Sequence, residues 1–269
     1  MSIKGDWITY ADRRGYFAYP ENAREPLPAI VVIQEIWGVN EHIEDVSRRF
    51  AAAGYAVLAP DLFAVNGERP AALTPIRIHK AMKFIRQASA VWKDSAARQT
   101  ELAKFAEPDR LEIGETCECM LDCISRQSDY VPQLRQTVRY LRNEHPITKD
   151  QKVACVGFCM GGGLSALLAC EEPELAGAAV FYGKTPPEER IPCIKCPVIG
   201  FYGANDQPIN SGIQAFEEGL RITGKSYERT LYEDANHSFF NDDGPSYNVK
   251  AVRDSFVQLM TFLLKTLSD

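Results

Sequence analysis

The segment 152–163 constrains what this chain can fold into more than any other part of the sequence. A β-branched run typical of a strand meets the pattern Gly-x-Cys-x-Gly, and the helix-forming segment 164–170 follows at once. This order predicts a sharp strand-to-helix turn with Cys159 at its tip, where serine is more usual. Gly157 and Gly161 lack a Cβ atom, so the chain can bend tightly there. The positive end of the helix then lies behind the sulfur and favours its thiolate form.

The rest of the chain alternates strand and helix signals. A hairpin is expected at 7–20, and apolar runs predict strands at 29–33, 55–60, 153–156, 178–181, 198–202 and 227–231. Helical spacing covers 40–53, 126–143, 213–223 and 250–266. Strands that alternate with helices predict a mostly parallel central sheet with helices on both faces. Together with the cysteine turn, this indicates an α/β-hydrolase fold.

The region from about 64 to 128 departs from that alternation, because it has helical spacing and no strand signal. The length of 269 residues suits one α/β domain spanning 1–269, with 64–128 as a helical insert. Loops after the C-terminal ends of parallel strands surround the active site in such sheets. The insert therefore forms a lid or wall, with Trp92 and Phe105 either lining an acyl pocket or packing its own helices.

Composition excludes several classes of function. The net charge is −6 and no basic block is present, which argues against a nucleic-acid partner. No apolar run is long enough to span a bilayer, so we expect no membrane association. The first residues lack the apolar core of a secretion signal, and eight cysteines are then expected to remain reduced thiols. These features predict a cytoplasmic protein.

A cysteine nucleophile needs a base, and the chain offers four histidines. Only His237 follows the last predicted strand, where the histidine of a nucleophile–acid–histidine order belongs. The other interpretation is an ordinary surface histidine. Asp206 follows the strand at 198–202 and would orient the imidazole, although it could also cap the next helix. Asp234 is a weaker candidate for the acid because it lies too close to His237 in the chain.

Two backbone amides are expected to bind the oxyanion. One belongs to Met160, the residue after the nucleophile, and the second comes from the loop after the strand at 29–33, near Glu35 and Ile36.

Several segments together resemble the dienelactone hydrolase family, a branch of the α/β-hydrolases with a Cys–Asp–His triad. The most specific is Gln-Glu-Ile-Trp-Gly-Val-Asn at 34–40. The others are Gly-Tyr at 54–55 through Ala-Pro-Asp-Leu at 59–62, Gly-Phe-Cys-Met-Gly-Gly at 157–162, 202–206, and His-Ser-Phe at 237–239 with the tail to 248. The resemblance covers residues 5–63 and 129–265.

The resemblance implies roles for particular residues: Cys159 as nucleophile, His237 as base, Asp206 as its orienter, and the amides of Ile36 and Met160 as the oxyanion hole. It also implies that Glu35 contacts the thiol in the resting enzyme. A carboxylate there disfavours the thiolate, so substrate binding would displace Glu35 and activate the sulfur. Glu35 could instead cap the following helix.

The sequence departs from this family at the substrate-binding arginines. The family holds a substrate carboxylate with arginines, one of them shortly after the catalytic histidine, where this chain has 239–241, Phe-Phe-Asn. The insert matches no part of the family pattern. The family's other arginine would be expected in this region, where the sequence does not distinguish four candidates: Arg77, Arg86, Arg98 and Arg126.

The sequence thus predicts a cysteine hydrolase of small carboxylic esters or lactones, a monomer or homodimer that requires no metal or organic cofactor. One alternative is a metal or redox protein built on two groups of its cysteines, at 117, 119 and 123 and at 193 and 196. Another is a non-catalytic binding protein of the same fold.

Overall fold

The computed structural model describes residues 2–268, which build an eight-stranded sheet. The strands are β1 (Ile3–Tyr10), β2 (Arg13–Pro20), β3 (Ala29–Ile33), β4 (Ala56–Pro60), β5 (Val153–Phe158), β6 (Gly177–Phe181), β7 (Val198–Gly203) and β8 (Tyr227–Tyr232). Their order in the sheet is β1-β2-β4-β3-β5-β6-β7-β8. The β1–β2 and β2–β4 pairs are antiparallel, and all other neighbours are parallel. The predicted hairpin and the mostly parallel sheet are confirmed.

Nine α-helices connect and cover these strands within the described residues. They are α1 (Glu41–Ala52), α2 (Pro75–Gln87), α3 (Ser95–Leu102), α4 (Asp109–Ser125), α5 (Val131–Asn143), α6 (Met160–Glu171), α7 (Gln207–Asn210), α8 (Ile213–Ile222) and α9 (Val249–Leu267). Short 3-10 helices lie at Ala71–Leu73, Gln127–Tyr130 and Glu188–Cys193. The first predicted helix begins at residue 41 rather than 40, because the Asn40 side chain accepts a hydrogen bond from the Ile43 amide (3.2 Å) and caps α1.

The sheet has one apolar core on each face. Phe50 of α1 and Leu259 of α9 pack on one face, and Leu134 of α5, Leu164 of α6 and Phe216 of α8 pack on the other. Every residue of the central strands β3 and β5 is buried, as expected for parallel strands covered on both sides. This layering places the C-terminal ends of β3, β5, β6 and β7 along one edge of the sheet, where the loops that carry the candidate site residues begin.

The helices α2, α3 and α4 occupy the region predicted as an insert. Their buried side chains, among them Ile78, Phe84 and Met120, belong to the same apolar core as α5, α6 and α8. Within residues 2–268 no helix is long and apolar enough to cross a membrane.

Candidate active site

Cys159 stands at the tip of the predicted strand-to-helix turn, between the end of β5 and the first residue of α6. Its backbone has φ 55° and ψ −115°, a conformation that residues other than glycine rarely adopt. The Cys159 amide donates to the Phe181 carbonyl (3.0 Å), and the Cys159 carbonyl accepts from the amides of Gly162 (3.0 Å) and Gly163 (3.2 Å). These bonds hold a strained turn that presents the thiol at the edge of the sheet.

The glycines around this turn are required by close backbone contacts. A Cβ atom on Gly157 would lie 1.8 Å from the Gly161 carbonyl oxygen, and one on Gly161 would lie 2.2 Å from the Ile33 carbonyl oxygen. A Cβ on Gly162 would meet the Phe181 carbonyl oxygen at 2.5 Å. The first turn of α6 is therefore packed backbone to backbone against the ends of β3 and β6.

The structure brings Cys159, His237 and Asp206 together in a chain of hydrogen bonds. His237 Nε2 lies 3.1 Å from Cys159 Sγ, and His237 Nδ1 lies 2.5 Å from Asp206 Oδ2. Asp206 directly precedes α7, but its side chain does not cap this helix. The carboxylate bonds to His237 instead. Asp234 is exposed, in line with its weaker claim.

This arrangement changes the acidity of the histidine. Burial by itself would lower the pKa of His237, but the charge on the Cys159 sulfur and the hydrogen bond that the ring donates to Asp206 outweigh it and raise that pKa to about 10. The raised pKa favours the imidazolium form of the ring at neutral pH.

Glu35 follows β3 and is buried beside this group. Its Oε1 accepts from Ser238 Oγ (3.3 Å) and its Oε2 accepts from Asn241 Nδ2 (2.7 Å), whereas the cysteine sulfur lies against the imidazole. Glu35 does not cap α1, because Asn40 does.

Tyr182 is buried next to Glu35 and Cys159. Burial, followed by the negative charges of Glu35 and Cys159, raises its pKa well above the ordinary value, so the phenol stays protonated.

Comparison with known proteins places this chain in a family. A sequence model of the dienelactone hydrolase family matches residues 13–267. The chain belongs to this family. The resemblance found in the sequence is confirmed, and with it a carboxylic ester hydrolase class of enzyme.

Relatives of the chain match over most of their length. It is 33% identical over 254 residues to a protein of Saccharolobus solfataricus provisionally named carboxymethylenebutenolidase, covering 93% of each chain. A Yersinia pestis protein with the same provisional name is 26% identical, with 91% of this chain and 80% of the relative covered. A crystal structure from Klebsiella pneumoniae subsp. pneumoniae MGH 78578, provisionally assigned as a dienelactone hydrolase, superposes with a TM-score of 0.69 at 22% identity. The superposition covers 98% of this chain and 100% of that one, and it confirms the α/β-hydrolase fold.

In this chain, a cavity of about 270 Å³ opens beside the Cys159 sulfur. Ile36 and Met160, the two residues whose amides are candidate oxyanion donors, line it together with Cys159 and His237. Met160 is the first residue of α6, where amides have no partner within a helix. The insert supplies part of the wall, namely Ile85, Trp92, Lys93 and Ile124.

The two aromatic residues singled out in the insert have different positions. Trp92 lines this cavity, and Arg98 donates to its carbonyl (2.9 Å). Phe105 packs edge to face on Phe84, with ring centroids 5.9 Å apart.

None of the four candidate arginines lines the cavity. Arg77 pairs with Glu115, and Arg126 is exposed beside Asp129. Arg98 is buried within the insert, and Arg86 borders a separate cleft that includes Trp7, Arg14 and Arg69. The lysines that line the cavity are Lys93 and Lys184. Nothing in the local sequence marked Lys184, because it enters the site only through the path of the chain after β6.

None of the remaining histidines and cysteines lines this cavity. His42 is buried and bonds to Asp242 (3.1 Å), His79 is exposed on α2, and His145 packs on Phe17. Across residues 2–268, no three metal-binding side chains converge on one point. The cysteine-based metal site considered from the sequence therefore has no geometry to support it.

We predict that alanine destabilises the fold at Gly157 and is tolerated at Gly163. Gly157→Ala should lower the free energy of unfolding by about 3 kcal/mol or more, because the methyl group meets backbone that cannot move aside. Gly163→Ala is the control, since its nearest atom would be 3.4 Å away, and its effect should stay within about 1 kcal/mol. Denaturant unfolding of both variants measures the difference, and equal stabilities would contradict the packing argument.

We also predict the titration of the site histidine. In NMR spectra assigned with a His237→Gln variant, His237 should titrate near pH 10 and remain protonated at neutral pH. Cys159→Ala removes the charge and the hydrogen bond that raise the pKa while burial still lowers it, so the midpoint should fall by about one unit or more. A midpoint near that of a free histidine in the wild type, unmoved by the substitution, would show that the two side chains do not interact.

Proposed function

We propose that this enzyme hydrolyses small carboxylic esters or lactones through an acyl-enzyme on Cys159. The observation that carries the proposal is the chain of contacts from the Cys159 sulfur through His237 to Asp206, at a turn that faces the cavity. A nucleophile, a base and a group that orients the base stand here in one line.

The reaction is written from these atoms. The sulfur attacks the carbonyl carbon, and the electron pair of the carbonyl moves to its oxygen, which the amides of Ile36 and Met160 bind. When the carbonyl re-forms, the alcohol oxygen leaves and takes the proton of the His237 imidazolium. His237 then removes a proton from water, the hydroxide attacks the thioester, and the carboxylic acid leaves as the sulfur regains its charge. No metal or organic cofactor enters these steps.

The proposal also assigns a role to Glu35, as a carboxylate that opposes negative charge on the sulfur. In this structure Glu35 accepts hydrogen bonds from Ser238 and Asn241. The hypothesis from the sequence has Glu35 on the thiol in the resting enzyme and displaced from it when substrate binds. We place the enzyme in the cytoplasm, because all eight cysteines are free thiols.

The proposal is tested with a series of short-chain p-nitrophenyl esters and mass spectrometry of the trapped enzyme. Cys159→Ala and His237→Ala should each lower kcat/KM by at least about 1,000-fold. Wild-type protein should carry an acyl group on Cys159. Cys193→Ala is the control, because this thiol is exposed and does not line the cavity, and it should behave as wild type. Full activity in Cys159→Ala, or an adduct on another residue, would contradict the proposal.

Glu35→Gln tests whether the Glu35 carboxylate opposes negative charge on the Cys159 sulfur. Removing the carboxylate charge without changing the shape should speed alkylation of Cys159 by iodoacetamide near neutral pH by about three- to tenfold. Glu41→Gln makes the same charge change at an exposed residue outside the Cys159 cavity and should have no effect. An unchanged alkylation rate and pH profile in Glu35→Gln would refute the idea of a carboxylate switch.

A further inference from the structure

The loop 34–40, here called the oxyanion loop, carries the Ile36 amide and is fastened at both ends. At its start, the Leu62 amide donates to Gln34 Oε1 (3.1 Å). At its end, Arg69 Nη2 donates to the Val39 carbonyl (3.1 Å), immediately before the cap of α1. Between these points the Gly38 amide closes a turn on the Glu35 carbonyl (3.2 Å). The position of the Ile36 amide therefore depends on Arg69, a residue of the insert.

Arg69 is itself fixed by a buried ion pair. Its Nε lies 2.9 Å and 2.7 Å from the two oxygens of Asp61, and the side chains are 7% and 0% exposed. Asp61 directly follows β4 and also accepts a hydrogen bond from the Phe63 amide (3.3 Å). A planar guanidinium held through Nε on a fixed carboxylate has one orientation left for its other nitrogens, and here Nη2 points at the Val39 carbonyl.

A tight reversal of the chain brings Arg69 back to Asp61. Val65 and Glu68 exchange backbone hydrogen bonds of 2.8 Å and 3.2 Å around Asn66 and Gly67, which have φ values of 51° and 82°. Two positive φ values at Asn-Gly are typical of a two-residue hairpin turn. The oxyanion loop also leaves space for the Arg69 guanidinium. Gly38 in that loop has φ 80°, and a Cβ there would lie 2.9 Å from Arg69 Nη2.

We propose that Arg69 is a positioning residue for oxyanion stabilisation: anchored on Asp61, it holds the oxyanion loop so that the Ile36 amide faces the carbonyl oxygen of the substrate. This inference rests on the proposed function, since it assumes that Ile36 serves the oxyanion. It also gives the first residues of the insert a task in the reaction, besides forming a wall.

Two reactions of the same thiol separate this role from a general one. Acylation by an ester develops an oxyanion and needs the Ile36 amide, whereas alkylation by iodoacetamide develops none. Alkylation depends on the sulfur, its histidine and the nearby Glu35, and Glu35 keeps its own bonds to Ser238 and Asn241 outside the loop. A residue that positions the oxyanion loop affects the first rate and leaves the second unchanged. A residue that only stabilises the fold, or that acts on the Cys159–His237 pair, moves both rates together.

The test is Arg69→Lys in the full-length protein, with Arg77→Lys as the matched control. Lysine keeps a positive charge opposite Asp61 but cannot also hold the Val39 carbonyl. Arg77 likewise bonds to a carboxylate, Glu115, and a carbonyl, Glu112, but both lie inside the insert. We expect Arg69→Lys to lower the acylation rate with p-nitrophenyl acetate by about 10- to 100-fold and to leave alkylation within about twofold. Arg77→Lys should change neither rate.

A double variant, Arg69→Met with Asp61→Asn, removes the ion pair without leaving a buried charge and should show the same separation of rates, provided circular dichroism matches wild type. Acylation by a folded Arg69→Lys at the rate of Arg77→Lys would overturn the proposal, and so would equal losses in both reactions. Failure of the proposed function is recognised separately. Wild-type protein would then be alkylated but form no acyl group on Cys159, and the inference about Arg69 would fall with it.

Discussion

The close approach of the α6 backbone to the ends of β3 and β6 is the constraint on which the rest of this structure depends. Gly157, Gly161 and Gly162 leave no room for a Cβ atom at that contact. Because the first turn of α6 lies so close, the strained Cys159, the oxyanion loop after β3 and the segment after β6 all meet at one edge of the sheet. This packing of backbone on backbone thus determines where the cysteine turn and the neighbouring loops meet.

Electrostatics then distribute charge within this edge. Two acidic groups lie near the sulfur in different settings: Asp206 supports the imidazolium, while Glu35 is bound by the neutral donors Ser238 and Asn241. The raised pKa of His237 follows from its place between the Cys159 sulfur and the Asp206 carboxylate. Because Glu35 accepts hydrogen bonds from Ser238 and Asn241, the Cys159 thiol and the His237 imidazole can contact each other directly.

Backbone strain marks the same region. Cys159, Tyr182 and Ser238 all have positive φ values, and all three line the cavity. Each such residue costs on the order of 1–3 kcal/mol, so the surrounding core has to hold it in place. Helix α6, which is buried from Met160 to Cys170, and the buried strands β3 and β5 provide that rigid support. The insert adds a wall on one side and, through Arg69, a hold on the oxyanion loop.

The sequence by itself determined the sheet, the cysteine turn, and the candidates Cys159, His237 and Asp206, because periodicity, glycine spacing and chain order are local signals. It also carried the family resemblance. Only the tertiary structure decided which partners the buried polar groups take. Glu35 faces Asn241, 206 positions away, and Lys184 rather than any candidate arginine reaches the cavity. Such pairings join residues far apart in the chain, and they depend on how helices and loops fill the space between strands, which no local pattern encodes.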